Sequence, residues 1–578
     1  MSNKNLNYEW SSIIVDELIA NGVDFFCISP GSRSTSLVTA LAYNKPAKKT
    51  LILDERSAAF HALGYAKATN KPAVLICTSG TALANYYPAI IEASHSNIPL
   101  LIISSDRPPE LQDTGANQTI NQSHFYSNYV RFEFSLPCPS TDISTNIIRS
   151  KIDQAVFNAN YPKAGPVHIN CMFRKPLIDY TEKADIDPSK KSPFISYTQP
   201  IISLDKNILL NITNKINSAK NGLLIIGELK TDSEKEVVKN LANKLGWSVV
   251  TDVLSGLSLD SNIDNRLSFS ELISESNKAS IFNNFSTVLY IGGKLVSTKL
   301  EQYLHYRKCE TIMVSDNFSI NNPNHTPSIK IESNIIEFCN NLQNNIPENK
   351  KKNSNNESLT ILKDKIDNIV NSLCNEKNKI SEISVAKLVS KHIKTNSGLF
   401  LGNSMPIRYM NNFGTNSNNV RNGFIPTGSN RGASGIDGII STASGFAKGL
   451  NKKVTLVIGD LSFIHDMSSL SILENQSIEL TIIAINNNGG GMFSFLPISK
   501  KNDICDKYFA TPQNKSFDSI ADIFGLKYYN PSTNKDFIGT YIKCQNKIGS
   551  SIIEIKTNRK NSLIEYKQIV NAINNLEL

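Results

Sequence analysis

Two short runs near the C-terminal end constrain what this chain can fold into. Val454–Ile458 (VTLVI) and Leu480–Ile485 (LTIIAI) are almost wholly apolar. They are too short for helices and too uniform for strands wetted on one face, so they read as strands buried on both faces. The segment His465–Leu473 between them reads as helix, and two such strands joined through a helix make a parallel βαβ unit. Ligands of such sheets sit just beyond the strands' carboxyl ends. Here those ends are Gly459-Asp460-Leu461-Ser462 and Asn486-Asn487-Asn488-Gly489-Gly490-Gly491. The Asp460 carboxylate, the Asn487 amide oxygen and a carbonyl bared by Gly489 are hard oxygen donors without His or Cys. Such a set suits Mg²⁺ with positions left open for phosphate oxygens. Ser462 predicts a helix start facing the same anion. Taken singly, Gly-Asp and Asn-Gly are also ordinary turn residues; it is the pairing of both strand ends that points to a site.

A chain of 578 residues predicts three or four domains. In the first, Phe25–Ile28, Thr50–Leu53, Ala73–Cys77 and Leu100–Ser104 read as strands, each followed by a turn and a helical pattern, hence an α/β parallel sheet. The turns after them are Ser29-Pro30-Gly31-Ser32-Arg33-Ser34, Asp54-Glu55-Arg56-Ser57, Thr78-Ser79-Gly80-Thr81 and Ser105-Asp106-Arg107-Pro108-Pro109. Each has a local explanation as a cap, a first-turn carboxylate or a solvated charge. Stacked beyond one sheet edge, they make a site. Leu223–Ile226, Ser248–Thr251, Val288–Ile291 and Thr311–Val314 give a central domain of Rossmann-like pattern, but Gly227-Glu228 and Gly292-Gly293-Lys294 do not form a G-x-G-x-x-G turn. Asn340–Ser358 is polar and poor in apolar residues, the best linker in the chain. The expected bounds are 1–184, 185–345, a linker at 346–358, and 359–578.

The net charge of +9 comes largely from Asn/Lys-rich stretches such as Asn349–Asn356, with no basic run interleaved with aromatics, so nucleic acid is not expected. No run approaches the length of a membrane span, and the start of the chain lacks an apolar signal core. Nine scattered cysteines fit a reducing cytoplasm better than a disulfide framework or zinc.

Gly-Asp followed at a distance by Asn-Asn resembles the diphosphate–metal motif of thiamine-diphosphate enzymes. The domain order resembles that of their decarboxylase-type branch: pyrimidine-binding, central, diphosphate-binding, each a doubly wound parallel α/β sheet. Within that branch the chain is most similar to the family of 2-succinyl-5-enolpyruvyl-6-hydroxy-3-cyclohexene-1-carboxylate synthases. SPGSRS (Ser29–Ser34), DERSAAFHALG (Asp54–Gly64), SDRPPEL and GANQTINQ (Ser105–Gln122), GNSMPIR (Gly402–Arg408), SNRGASGIDG (Ser429–Gly438) and GDLS…NNNGGGMFSFLP carry the likeness. Leu461 after Gly-Asp, where many thiamine-diphosphate enzymes have Gly, fits this family too.

The resemblance implies thiamine diphosphate held through Mg²⁺, or Mn²⁺, by Asp460, Asn487 and Gly489. Ser404, Leu461, Met492 and Phe493 would line the cofactor, Ile436 would wedge beneath it, and Glu55 of a partner subunit would reach its aminopyrimidine ring. It further implies decarboxylation of 2-oxoglutarate and 1,4-addition of the succinyl-semialdehyde carbanion to isochorismate, in menaquinone or phylloquinone synthesis. Two dianionic substrates call for guanidinium groups. Arg33, Arg107, Arg408 and Arg431 are the candidates, supported by Ser32, Asn117 and Gln118. The alternative is an acetohydroxyacid-synthase-like carboligase using pyruvate, which would leave several of these arginines unpaired. The shared site makes a homodimer the minimum assembly, with a tetramer left open.

Overall fold

The structure, a computed structural model, describes residues 5–178, 192–259, 262–307, 309–316, 325, 328–347, 356–414, 423–474 and 478–577. Its strands form three sheets, each parallel throughout. The first contains β1 (Phe25–Ile28), β2 (Lys48–Leu51), β3 (Ala73–Cys77), β4 (Leu100–Asp106), β5 (Glu133–Leu136) and β6 (Pro166–Met172), in the order β2-β1-β3-β4-β6-β5. The second contains β7 (Gly222–Ile226), β8 (Ser248–Thr251), β9 (Thr287–Ile291), β10 (Glu310–Ser315) and β11 (Ile329–Glu332), in the order β11-β10-β9-β7-β8. The third contains β12 (Gly398–Leu401), β13 (Thr427–Gly428), β14 (Val454–Gly459), β15 (Leu480–Asn486), β16 (Lys527–Tyr529) and β17 (Ser551–Lys556), in the order β13-β12-β14-β15-β17-β16. Counted from its own first strand, the third sheet repeats the order of the first, although no sequence repeat announces it. The order reverses between β1 and β3 in one and between β12 and β14 in the other, which opens a crevice at the carboxyl edge of each.

By packing, the chain divides into two compact units: Met1–Pro200 with Asn430–Lys452 and His465–Glu479, and Ile201–Ser429 with Lys453–Ile464 and Leu480–Leu578. The first unit contains the first sheet, whose buried strands place Phe26, Val74, Ile76, Leu101 and Ile169 in one core. It also contains the helix Ile439–Leu450, packed on the helix Glu55–Thr69. Glycines let these two backbones touch. A Cβ on Gly64 would lie 2.0 Å from the carbonyl oxygen of Thr442, and one on Gly445 would lie 1.8 Å from that of His61.

The second unit holds the other two sheets. Successive residues of β7 serve opposite faces, as the strand period requires: Leu223 and Ile225 join one core, Leu224 and Ile226 another. At the switch point of this sheet the Gly227 amide donates to the Ile291 carbonyl (2.9 Å) and the Gly293 amide to that of Glu228 (2.9 Å). A Cβ on Gly227 would meet the Gly293 carbonyl oxygen at 2.2 Å. Backbone thus packs closely on backbone at this switch point.

Three expectations shift. The strand expected at Thr50–Leu53 is Lys48–Leu51, because register with β1 pairs Phe25 with Lys48, and Leu51 and Leu53 are left 70% and 81% exposed. The helix expected at His465–Leu473 is instead an α-helix over Asp460–His465 followed by a 3₁₀ stretch, Met467–Glu474; it starts at Asp460, not after Ser462. In the stretch read as linker, residues up to Asn345 are helical and a helix begins at Asn356, while 348–355 lie outside the described residues.

Gly445→Ala is expected to destabilise the protein by about 1–3 kcal/mol, the usual cost of overpacking. Gly539→Ala, in the helix Asn534–Asn546 with nothing within 4 Å of the added Cβ, should be neutral or stabilise by up to about 1 kcal/mol. Thermal midpoints of the two variants, scanned at one rate, check both.

Candidate active site

Asp460 follows β14 and is buried. One carboxylate oxygen accepts from the Leu461 amide (2.7 Å) and the other from the Gly489 amide (2.7 Å), which ties the end of β14 to that of β15. Burial raises its pKa; the amides of Gly489, Leu461 and Asn488 and the charge of Arg559 oppose that rise.

Each asparagine after β15 has its own anchor. Asn486 Nδ2 donates to Glu554 (2.5 Å), Asn487 Nδ2 to Glu382 (2.9 Å) and Asn488 Nδ2 to Asn514 (2.7 Å), while Arg559 donates to the Asn488 carbonyl (2.8 Å). Asn487 Oδ1 is buried and accepts no hydrogen bond among the described residues. Gly489 has φ +126°, and a Cβ there would lie 2.1 Å from the Ala510 carbonyl oxygen, so only glycine fits. Met492 and Phe493 follow in a short 3₁₀ turn, Phe493 edge-on to Phe509. Across the switch point, β12 runs into Gly402, whose amide donates to the Val457 carbonyl (2.8 Å), and then Ser404 at φ +72°, ψ −128°. That is a strained conformation for a residue with a Cβ, of the kind held at functional sites. Arg408 donates to the Ser404 carbonyl (2.7 Å) and braces it.

In the first unit, Arg33 is 5% exposed. It donates through Nη1 to the Phe173 carbonyl (2.9 Å), and its Nε has no hydrogen-bond partner among the described residues. Burial, then the charge of Arg107, lowers its pKa. Ser32 beside it is exposed. Arg107 clasps the Asn117 carbonyl through Nε (3.2 Å) and Nη2 (2.8 Å), and Gln118, at φ +54°, lies against Gly80. A buried relay fixes these loops: the Gly80 amide donates to Gln122 (2.9 Å), Gln122 to Asn170 (2.9 Å), Asn170 to Asp106 (2.9 Å), and Asp106 accepts from the Arg107 amide (2.7 Å).

Glu55 opens the helix Glu55–Thr69 behind an Asp54 cap. Its half-buried carboxylate has no hydrogen bond or ion pair among the described residues. In the same unit the loop carrying Arg431 and Ile436 is gripped by Glu92, which accepts from the Gly432 and Ala433 amides (2.7 Å each). Ile436 is 42% exposed. The structure therefore gathers Arg33, Arg107, Asn117 and Gln118 along one sheet edge. Asp460, Leu461, Asn487 and Gly489 meet along another, where Ser404 and Arg408 form a pair.

Three family models match: the N-terminal TPP-binding domain of thiamine pyrophosphate enzymes over residues 9–125, the middle domain over 189–401, and the C-terminal TPP-binding domain over 417–555. A 2-succinyl-5-enolpyruvyl-6-hydroxy-3-cyclohexene-1-carboxylate synthase of Prosthecochloris aestuarii is 40% identical, covering 98% of this chain and 98% of its own length. The chain belongs to this synthase family. A synthase of the same name from Chlorobium phaeobacteroides is 38% identical over 100% of this chain and 99% of its own. A solved thiamin diphosphate-dependent enzyme from Mycobacterium smegmatis shares the fold at 14% identity, with a TM-score of 0.71 over 95% of this chain and 99% of that one. The fold is thus the three-domain thiamine-diphosphate architecture expected from the motifs.

The residues present fit a cation-held diphosphate. Asn487 Oδ1 is an oxygen buried without a hydrogen donor, a costly state unless something electropositive meets it, and Gly489 leaves its carbonyl clear of a side chain. Sequence reasoning missed Glu382, Glu92, Asn170 and Asp466, which lie outside the quoted motifs, and gave Gln122, the last residue of GANQTINQ, no role of its own; all five act by holding other groups.

Asp466 is fully buried, accepting from the Ile440 (2.7 Å) and Ser441 (3.1 Å) amides and from Ser469 Oγ (2.9 Å), with Arg56 at 3.6 Å. Burial lifts its pKa to about 6. A raised carboxyl pKa stabilises the fold fully below the unfolded value, and that contribution is lost as pH rises toward 6. Relative to wild type, Asp466→Asn should therefore flatten stability between about pH 4 and pH 6, read as denaturant midpoints across that range.

Proposed function

We propose that this protein makes 2-succinyl-5-enolpyruvyl-6-hydroxy-3-cyclohexene-1-carboxylate and CO₂ from 2-oxoglutarate and isochorismate, as a thiamine-diphosphate-dependent transferase of menaquinone or phylloquinone synthesis. The observation that carries the reading is the Asn487 oxygen, buried and unmatched at strand ends that also present Asp460, in a chain of this family. Asp460, Asn487 and the Gly489 carbonyl hold Mg²⁺, or Mn²⁺ in its place. Leu461, Ser404, Met492 and Phe493 line the cofactor, and Ile436 supplies an apolar surface beneath it. Thiamine diphosphate, when bound, supplies the carbanion chemistry of decarboxylation and addition.

The chain's own residues bind and orient. Glu55, reaching in from a partner subunit, hydrogen-bonds the aminopyrimidine ring and manages its proton; its carboxylate has no hydrogen bond or ion pair among the described residues, and Leu51 and Leu53 nearby in sequence are exposed apolar side chains that a homodimer would cover. Arg33, Arg107, Arg408 and Arg431 receive substrate carboxylates, with Ser32, Asn117 and Gln118 as neutral donors. The unpartnered Nε of Arg33 is a donor that a bound carboxylate would satisfy. These arginines hold the carboxylates that stay. A clamp on the leaving one would stabilise the ground state against the transition state. The same reading assigns pyrimidine binding to residues 1–184, a central domain to 185–345, a linker to 346–358 and diphosphate binding to 359–578. Nine free cysteines suit a cytoplasmic site of action.

In the deciding assay, CO₂ release from 2-oxoglutarate should require isochorismate, thiamine diphosphate and Mg²⁺ together. Release from pyruvate alone would redirect the assignment to an acetohydroxyacid-synthase-like reaction. Glu55→Gln should lower kcat by about 10²–10⁴-fold and slow hydrogen–deuterium exchange at C2 of the bound cofactor; unchanged exchange would remove Glu55 from the mechanism. Asp460→Asn should abolish Mg²⁺-dependent cofactor binding, followed by calorimetry.

A further inference from the structure

We propose that Glu382 is the positioning residue that turns the Asn487 amide oxygen toward the cation, and that it thereby sets the affinity for metal. The inference rests on the functional reading above. A primary amide has two unlike ends of nearly equal size: the oxygen can ligate a cation, and the NH₂ group repels one. Half a turn about the terminal torsion exchanges them, so an asparagine ligand needs a partner that recognises one end only.

Glu382 is such a partner. It is 4% exposed, on the first turn of the helix Glu382–His392. Its Oε1 accepts from Asn487 Nδ2 at 2.9 Å and from Ser562 Oγ at 2.7 Å. An oxygen receiving two donors acts as an acceptor. With Asn487 reversed, two acceptor oxygens would face each other in a buried place, and no water would separate them. Only one orientation is therefore stable, and it leaves Asn487 Oδ1 as the buried atom without a donor.

Glu382 is itself pinned. Ser381 caps the helix and exchanges hydrogen bonds with Ser384 (3.1 and 2.9 Å), and Ser384 Oγ donates to Asn534 (2.9 Å). The helix start is thus fixed from two sides, and Ser562, in the helix Arg559–Asn574, fixes the carboxylate from a third.

The test is Mn²⁺ binding in the presence of thiamine diphosphate, followed by electron paramagnetic resonance on full-length protein. Glu382→Gln can offer either an oxygen or an NH₂ to Asn487 and so no longer selects its orientation. Mn²⁺ should bind about 10–100-fold more weakly, the usual effect of losing a group that orients a ligand, while the thermal midpoint of the metal-free protein stays at the wild-type value. Ser562→Ala, which removes one of the two donors to Glu382, should weaken Mn²⁺ less. Wild-type Mn²⁺ affinity in Glu382→Gln overturns the proposal, as does a lowered metal-free midpoint with unchanged affinity, which would mark a purely structural group. Should Glu382→Gln fail to fold, Glu382→Asp, which draws the carboxylate back by one methylene, takes its place, and wild-type affinity in it overturns the proposal. Asp460→Asn separates the two levels. If it loses Mn²⁺ while Glu382→Gln keeps it, only this inference falls; if wild type binds no Mn²⁺ with thiamine diphosphate, the functional reading falls with it.

Discussion

A carboxylate withdrawn from water at the end of a strand must be answered by something, and much of the third sheet's edge is arranged around that requirement at Asp460. The nearest answers are backbone amides, from Leu461 and Gly489. They offset burial only in part, since the carboxyl pKa still lies above its ordinary range. Supplying the Gly489 amide obliges the chain after β15 to turn in a conformation open only to glycine, and that turn in turn leans on Arg559 through the Asn488 carbonyl. The residual demand for positive charge at Asp460, beside an amide oxygen with no donor among the described residues, is what the proposed divalent cation would meet. Fold and chemistry here are one electrostatic problem.

The first unit solves a related problem mainly with hydrogen bonds. Asp106, Asn170 and Gln122 form a chain in which every link faces inward, and it ends on the backbone of the loops that carry Arg107 and Gly80. Glu92 and Asp466 do the same for the loop of Arg431 and for the first turn of the helix Ile439–Leu450. Loops rich in charged and polar residues cannot rely on apolar packing, so buried polar groups fix them instead.

How much was legible follows from this. β1, β3, β4, β14 and β15 are short apolar runs closed by small or polar residues (Ser29, Thr78, Asp106, Gly459 and Asn486), and the sequence signal for them is strong. β6 and β17 were missed because His168, Asn170 and Glu554 interrupt their apolar pattern; Asn170 belongs to the relay that ends on Asp106, and Glu554 anchors Asn486. β2 slipped by two residues because its partner's register, not its own hydrophobicity, fixes it. The 3₁₀ stretch after His465 was read as α-helix because Asp466, which turns inward to cap another helix, looks like a surface residue. Motif residues were legible as motifs. Glu382 was not, because its meaning lies in a contact with Asn487 across 105 positions.

The contact between Gly64 and the helix Ile439–Leu450 also bears on how the chain is made. Its two sides lie far apart in the sequence, Gly64 and Gly445 being 381 positions distant. A ribosome working at about 5–20 residues per second separates their appearance by roughly 20–75 s. During that interval the face of the earlier helix around Gly64 lacks the cover that Ile439–Leu450 gives it. How long that face stays bare is set by the speed of translation, a constraint that the finished fold no longer shows.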